Sequence, residues 1–238
     1  MTGDSTRRSA TAFAPASVGN VGVGFDILGH TVAALGDKVR ATRRAEPGVA
    51  IRSITGTVEN LPLAAEKNTA GMAVLAMCRE LSLPYGFDLD IEKGIPLGSG
   101  LGGSAASAVA GIVAAAALVD EPLERTELLK FAMQGEAVAS GSVHVDNIAP
   151  SLYGGLVLTV GIDNPFVKQI PVPDTIRCVL VHPHMVLPTR EARAILSKSV
   201  PLSDVIWQQA NLAGFLAGCF TNDIALIRES LLDVVIEP

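Results

Sequence analysis

Apolar and polar positions alternate along several segments of the chain, and this period-two pattern predicts β-strands. It is clearest in FDLDIEKG, where Phe87, Leu89 and Ile91 share one face and acidic side chains occupy the other. The first such segment is expected to end at Pro15, and the next two are expected to be paired strands. The predicted strands are residues 10–16, 31–44, 49–56, 87–94, 154–161 and 176–183.

Other segments have the three-to-four-residue spacing of helices. In residues 68–83 the apolar side chains recur at Met72, Leu75 and Ala76, Asn68 is a candidate N-cap, and Pro84 follows the end. Pro122 is expected in the first turn of a later helix, where a missing N–H costs nothing. The further predicted helices are an alanine-rich run that ends near Val119 and residues 121–141, 190–199, 205–219 and 222–232.

The order of these elements predicts an α+β fold, because strands cluster early, helices cluster later, and no regular βαβ repeat is present. The proline-marked connector IPVPDT, residues 170–175, is a candidate boundary. We therefore expect an N-terminal domain of residues 9–174 and a second unit of residues 175–238.

Composition restricts the function classes. Hydrophobic residues make up 49% of the 238 positions, enough for a core, and a net charge of −6 argues against a nucleic-acid partner. The three cysteines are far apart and no secretory signal is read, so a reduced, cytoplasmic protein is expected. Apolar runs are too short for a bilayer, which predicts no membrane association. A homodimer is compatible with the sequence.

Residues 95–110 read IPLGSGLGGSAASAVA, with four glycines inside six positions before an alanine-rich run. The spacing G-x-G-x-x-G is present, but the strand context of a dinucleotide fold is absent, and no lysine completes a Walker loop. A plain turn before a buried helix is the simplest alternative. Each glycine costs about 0.5–1 kcal/mol of backbone entropy relative to alanine. Small residues at a helix N-terminus therefore favour a site for phosphate.

Three motifs resemble those of a known family. Residues 96–106, of the form P-x-x-x-G-L-G-x-S-A-A, resemble the phosphate loop of the GHMP kinases, although Gly103 stands where serine is more common. Residues 15–29 and 135–155 resemble motifs of the homoserine kinases within that family, and the similarity continues through LPTREAR, residues 187–193. The resemblance implies two α+β domains, the first similar to domain 2 of ribosomal protein S5 and the second ferredoxin-like and incomplete here.

The implied activity is ATP-dependent phosphorylation of the L-homoserine hydroxyl, giving O-phospho-L-homoserine in threonine biosynthesis, with Mg²⁺ as the metal. Ser104 and Glu136 are expected to be the metal ligands. The residues implied to bind ATP are Asn68, Lys93, Pro96, Leu97, Gly98, Ser99, Gly100, Leu101, Gly102, Gly103, Ser104, Ala105 and Ala106.

The resemblance also implies a pocket for homoserine, lined by Asn20, Asp26, His144, Asn147, Thr189 and Arg193. Asp26 is expected to hold the ammonium group and Arg193 the carboxylate, which matches the charges of the zwitterion and the two-pronged geometry of arginine. Catalytic roles are implied for Glu136, Ser104, Asn147 and Asp146. Asp146 falls where relatives similar to mevalonate kinase keep a catalytic aspartate, but we assign no general base.

Blander interpretations stay open for single residues. Asp26 could be an Asx-type turn residue after the glycines. Arg193 could lie on a solvated helix face, and Glu136 could lie on a helix surface. Lys93 would suit the exposed end of a strand.

Two other functions are also compatible with the motifs, namely another GHMP kinase acting on mevalonate or a sugar, and a non-catalytic ligand sensor. Family members are usually longer and carry a third glycine-rich motif near the C-terminus. We therefore expect a C-terminally truncated chain with weak or no turnover.

Overall fold

A computed structural model describes residues 8–140, 143–161, 163–181 and 189–238. For positions 139, 140, 189 and 190 it describes the backbone but not the side chains.

Six strands form one mixed sheet in the described part of the chain. Their bounds are β1 Ser9–Val18, β2 Leu28–Arg44, β3 Gly48–Gly56, β4 Gly86–Lys93, β5 Leu156–Val160 and β6 Phe166–Ile170. The order is β3-β4-β2-β5-β6, and β1 also pairs with β2. Among the strand pairs of the described residues, β3–β4 is parallel and the others are antiparallel.

The long strand β2 is the centre of the sheet. Its C-terminal half pairs with β4, from Lys38 opposite Glu92 to Arg44 opposite Gly86, and its first three residues pair with β5. Strand β1 runs antiparallel along it. Residues far apart in sequence therefore meet on β2, which places the end of β4 beside the middle of β2.

Helices cover the sheet, and α1 packs against α2 and α3, while α2 and α4 pack on β1 and β2. A short 3₁₀ turn, Ala65–Lys67, precedes α1. The helices are α1 Thr69–Glu80, α2 Gly103–Ala116, α3 Arg125–Ser140, α4 Val145–Tyr153, α5 Thr189–Ala194, α6 Leu202–Thr221 and α7 Ile224–Glu229.

The structure confirms the helix start at Asn68, whose Oδ1 accepts the backbone N–H groups of Ala70 at 3.1 Å and Gly71 at 3.2 Å. It also confirms β4, where Phe87, Leu89 and Ile91 are buried. Both were predictable because cap chemistry and strand alternation are local signals.

Several predicted elements are corrected. Strand β1 does not end at Pro15 but continues to Val18 through a register irregularity after Pro15, where a missing N–H is tolerated. Strands β2 and β3 are not paired with each other, because β4 lies between them.

The prediction of a strand over residues 176–183 is wrong for residues 176–181, which form no strand, and the last two lie outside the described residues. The α4 helix and the β6 strand were not predicted. Helix α4 is only nine residues long and contains Pro150, which argues against a helix even though Val145, Ile148 and Leu152 recur at helical spacing. The helix predicted at 190–199 is confined to Thr189–Ala194.

A large apolar cluster between the sheet and helices α1 to α4 forms the main core. A smaller cluster joins Leu28 and Leu156 to Phe215, Cys219 and Ile227. Among the described residues, none of the helices is both long and apolar enough to cross a membrane.

Phe87 gives a stability test of the main core. Its side chain is fully buried and packs edge-on against Tyr85, with 5.8 Å between ring centroids. We expect Phe87→Ala to lower the free energy of unfolding by about 3–5 kcal/mol, because it removes buried contacts and leaves a cavity. Urea denaturation measures the change. Phe166→Ala is the matched control, since Phe166 is 81% exposed on β6, and an equal loss there would contradict the assignment.

Candidate active site

A cavity of about 750 Å³ lies over the start of α2. Its walls come from the glycine loop, residues 96–102, and from segments near residues 20, 68, 136, 144 and 193. This volume suits a ligand of cofactor size. The polar residues that line it include Asn20, Asn68, Lys93, Ser99, Ser104, Glu136, His144, Asn147 and Arg193.

The glycine loop needs its glycines for backbone reasons. Gly98, Gly100 and Gly102 have φ values of 67°, 72° and 63°, a region that L side chains rarely adopt. A Cβ on Gly102 would also lie 2.2 Å from the Ser17 hydroxyl oxygen. At its glycines the loop therefore brings backbone, with no side chain in between, up to the cavity.

Helix α2 begins directly after this loop, with Gly102 as its N-cap and no side chain capping it. The first backbone N–H groups of a helix have no intrahelical partner, and the helix dipole places positive charge there. The backbone N–H of Ser17 donates to the Leu101 carbonyl at 3.1 Å, which docks the loop on β1. The arrangement is chemically suited to an anion such as phosphate.

Lys93 lies at the end of β4 and beneath the loop, and only 5% of it is exposed. Its ammonium group donates to the Gly103 carbonyl at 2.8 Å and to the Ser107 hydroxyl at 2.7 Å, and it forms an ion pair with buried Asp37. Lys93 is thus not an exposed strand end. The expected contact between Lys93 and the nucleotide stays a prediction.

Glu136 and Ser104 form the second polar feature of the cavity. The Ser104 hydroxyl donates to Glu136 Oε1 at 2.8 Å, whereas Glu136 Oε2 is buried and has no hydrogen-bond partner among the described residues. Burial raises the pKa of Glu136 to about 7, although the Ser104 hydrogen bond and the charge of Lys93 act in the opposite direction. A buried oxygen without a partner is costly unless it is protonated or near a cation.

A hydrogen-bonded turn presents Asn20 and Asp26 next to the cavity. Both have positive φ, 55° and 61°, and the Asn20 side-chain oxygen accepts the backbone N–H of Asp26 at 2.8 Å. The buried Asp146 carboxylate accepts the backbone N–H of Asn20 at 3.2 Å. Asp146 therefore holds the turn from the side of α4.

Asp26 and Arg193 form a two-pronged ion pair across 167 residues of sequence. Arg193 Nη1 donates to Asp26 Oδ2 at 2.9 Å, and Nη2 makes a second bond to Oδ1. The hydrogen bond to Asp26 raises the pKa of Arg193. The guanidinium carbon lies 5.3 Å from the centre of the Phe25 ring. Arg193 is therefore held against this turn rather than free on a helix face.

Negative charge is concentrated where α4 begins. Ligand atoms of Asp26, His144 and Asp146 lie within 4.8 Å of one another. Burial raises the pKa of Asp146, and the nearby charge of Asp26 acts in the same direction. The Ser17 hydroxyl donates to the side-chain oxygen of Asn147 at 3.2 Å, so β1 links the glycine loop to α4.

Most of the residues predicted from sequence meet at this cavity, but not all of them line it. Ala105 and Ala106 are buried in α2, Asp146 is buried, and Asp26 is exposed beside the cavity rather than in its lining. The side chain of Thr189 lies outside the described part. Asn68 reaches the cavity wall while its amide caps α1.

Three residues beside the loop were missed by sequence reasoning, namely Asp37, Ser107 and Ser17. Asp37 follows Gly36 inside an alternating strand, where an acidic residue is ordinarily exposed, but it is fully buried. Its one sequence signal is the pair of glycines at positions 36 and 94, which permits close approach of the two strands.

Comparison with known families agrees with this geometry. The sequence model of the GHMP kinases N terminal domain matches residues 68–155, which include the glycine loop, Glu136 and the start of α4. The α+β GHMP kinase fold predicted from the motifs is confirmed by this match and by the similar solved structure described next.

Proteins with similar sequences match this chain over most of its length. A homoserine kinase of Xylella fastidiosa (strain M12) is 52% identical over 235 residues, which are 98% of this chain and 71% of that protein. One of Xanthomonas campestris pv. campestris (strain B100) is 50% identical over 231 residues, 97% of this chain and 71% of that protein. The crystal structure of homoserine kinase from Cytophaga hutchinsonii superposes with a TM-score of 0.89 at 43% identity, covering 98% of this chain and 74% of that one. With half of its residues identical across more than two thirds of such relatives, the chain belongs to the homoserine kinases of the GHMP kinase family.

Proposed function

We propose that the chain catalyses the transfer of the γ-phosphoryl group of ATP to the hydroxyl of L-homoserine, giving O-phospho-L-homoserine in threonine biosynthesis. The observation that carries this proposal is one cavity that joins two kinds of site. A glycine loop at a helix N-terminus faces it on one side, and the Asp26–Arg193 pair borders it on the other. The first suits a polyphosphate and the second an amino acid.

The glycine loop and the first turn of α2, residues 96–106, are proposed to hold the phosphates through backbone N–H groups. Mg²⁺ fits beside them, because Ser104 offers a hydroxyl and Glu136 a buried carboxylate oxygen that has no hydrogen-bond partner in the described part of the chain. When bound, the metal neutralises charge on the phosphates. Asn68 and Lys93 stay proposed neighbours of the nucleotide.

L-Homoserine would place its charged groups between Asp26 and Arg193. Its ammonium group finds negative charge at Asp26 and Asp146, and its carboxylate matches the guanidinium of Arg193. Asn20, His144 and Asn147 supply hydrogen-bonding groups at the same wall, and Thr189 is proposed to join them.

No side chain needs to act as a strong base in this proposal. Phosphoryl transfer depends chiefly on positioning and on neutralisation of charge. Asp146 is engaged with the backbone of Asn20, and we propose that it orients the turn that carries Asp26. The Asn147 side chain, oriented by Ser17, is proposed to face the reacting hydroxyl.

We also propose the domain division at residues 174 and 175 and a cytoplasmic location. The smaller apolar cluster, which contains Leu28 and residues beyond the division such as Phe215, supports close packing of the two units.

A ligand panel tests the proposed function. We expect the wild-type chain to bind ATP and L-homoserine and, within the weak turnover expected of it, to release ADP faster with L-homoserine than with L-serine, L-threonine or mevalonate. In Asp26→Asn, affinity for L-homoserine should fall about 10- to 100-fold, because a charge-assisted bond to the ammonium group is lost. Calorimetry and coupled ADP release measure these effects.

The matched control is Glu80→Gln, which removes an exposed carboxylate that pairs with Lys130 far from the cavity. It should leave affinity for L-homoserine unchanged. A preference for mevalonate or a sugar would replace the proposed substrate, and ATP binding without phosphoryl transfer to any member of the panel would favour a ligand sensor.

Asp146→Asn tests whether a general base is used. The amide oxygen can still accept the backbone N–H of Asn20, so we expect a sizeable fraction of kcat to remain. Single-turnover phosphorylation of L-homoserine measures it. A loss beyond about 1000-fold, with affinity for L-homoserine retained, would instead identify Asp146 as the base.

The raised pKa of Glu136 predicts a pH dependence of stability in metal-free protein. The folded state keeps the proton up to about pH 7, whereas the ordinary value is 4.5. The folded state thus binds more protons in this window, and stability should fall as pH rises from about 4.5 to 7, by on the order of 3 kcal/mol. Glu136→Gln should remove this dependence and also abolish stabilisation by Mg²⁺ with ATP.

Thermal unfolding between pH 4.5 and 8 with EDTA measures the effect. Glu121→Gln, which removes an exposed carboxylate before α3, is the control and should follow the wild-type curve. The same slope in Glu136→Gln as in wild type would show that another group titrates in this window.

A further inference from the structure

The carboxylate of Asp37, in the middle of β2, is fully buried and accepts four hydrogen bonds. Its Oδ1 accepts the backbone N–H groups of Gly94 at 3.0 Å and Ile95 at 3.2 Å. Its Oδ2 accepts the Ser107 hydroxyl at 2.6 Å and the ammonium group of Lys93. Both oxygens are therefore fully engaged.

Lys93 completes this cluster. An ammonium group has three hydrogens, and Asp37, the Ser107 hydroxyl and the Gly103 carbonyl supply three acceptors. A ligand could bond to Lys93 only by displacing one of them. All three N–H donors of Lys93 are thus engaged by the protein, although the residue also borders the cavity.

The partners of the cluster flank the glycine loop. Gly94 and Ile95 come directly before residues 96–102, and Gly103 comes directly after them. One carboxylate therefore holds the entry of the loop through two N–H groups and, through Lys93, the exit of the loop and the first turn of α2. The strands approach closely here, since a Cβ on Gly94 would lie 2.1 Å from the Gly36 carbonyl oxygen.

Stability alone does not account for a buried ion pair at this place. Desolvation of two charges offsets most of their attraction, and replacing both partners with uncharged residues of similar size is often neutral or stabilising. Here the pair instead fixes two chain segments whose separation sets the width of the loop.

We propose that Asp37 and Lys93 are positioning residues that hold the two ends of the glycine loop at the separation needed to bind the phosphates of the nucleotide. This inference rests on the proposed function, because it assumes that the loop binds a polyphosphate. Since phosphoryl transfer relies on positioning, small displacements of the loop should reduce phosphate affinity strongly.

The test is the double variant Asp37→Asn with Lys93→Met. It removes both charges together, keeps a side-chain oxygen for Gly94 and Ile95, and leaves the Gly103 carbonyl without its donor. We expect thermal stability close to wild type, affinity for the fluorescent analogue mant-ATP lower by about 10- to 100-fold, and affinity for L-homoserine within about twofold of wild type.

Adenosine separates an effect on the phosphates from a direct contact between Lys93 and the nucleoside. It lacks phosphates, so its affinity, measured by competition with mant-ATP, should be unchanged if the loop alone is displaced. A matching loss for adenosine would overturn the inference, since it would show that Lys93 contacts the nucleoside itself.

The control is the double variant Lys38→Met with Glu92→Gln. These residues neighbour Asp37 and Lys93 on the same two strands and form an exposed ion pair at 3.2 Å. Removing that pair should leave affinity for mant-ATP unchanged, and a loss equal to that of the buried pair would overturn the inference.

Ser107→Ala provides a milder second variant should the first one fail to fold. It removes one acceptor of Lys93, and affinity for mant-ATP alone should fall about two- to tenfold. If either variant folds and binds mant-ATP with wild-type affinity, the inference about positioning is wrong, but the proposed function is unaffected. A wild-type chain that does not bind mant-ATP would overturn the proposed function as well.

Discussion

The buried contact between Asp37 and Lys93 is the constraint on which the geometry of the site depends. It joins the centre of the sheet to the start of α2, and the glycine loop spans the gap between the two points that the contact fixes. Three loop glycines have positive φ and offer no side chain for packing, while Leu101 anchors the loop in the core. The neighbouring strands therefore determine the shape of the loop.

A second set of contacts connects the glycine loop to the opposite side of the cavity. Ser17 bonds both to the loop, at the Leu101 carbonyl, and to Asn147 on α4, and Asp146 on the same helix holds the turn of Asn20. The proposed phosphate side and the proposed amino-acid side are thus built on common elements, β1 and α4. Shared supporting elements suit a reaction in which two substrates must be held in a fixed relative position.

Local signals made much of this molecule predictable from sequence. The cap at Asn68, the alternation of β4 and the glycine loop each depend on neighbouring residues, and motif resemblance indicated the family. The position of Asp37 was not predictable, because its partners Lys93 and Ser107 lie 56 and 70 residues away. The strand prediction for residues 176–181 was wrong although it used a local signal. β-Branched residues favour a strand only where a neighbouring strand is available to pair with them.

The ion pair of Asp26 and Arg193 has a consequence for selectivity. Each charge already has a partner, so a ligand must repay the loss of that bond before it gains affinity. A simple amine would pair with Asp26 but leave Arg193 without a partner. A simple carboxylate would pair with Arg193 but leave Asp26 without one. Only a molecule with both charges at the correct spacing replaces what it disrupts. In the proposed pocket, the resting pair excludes singly charged metabolites by the same bonds that admit an amino acid.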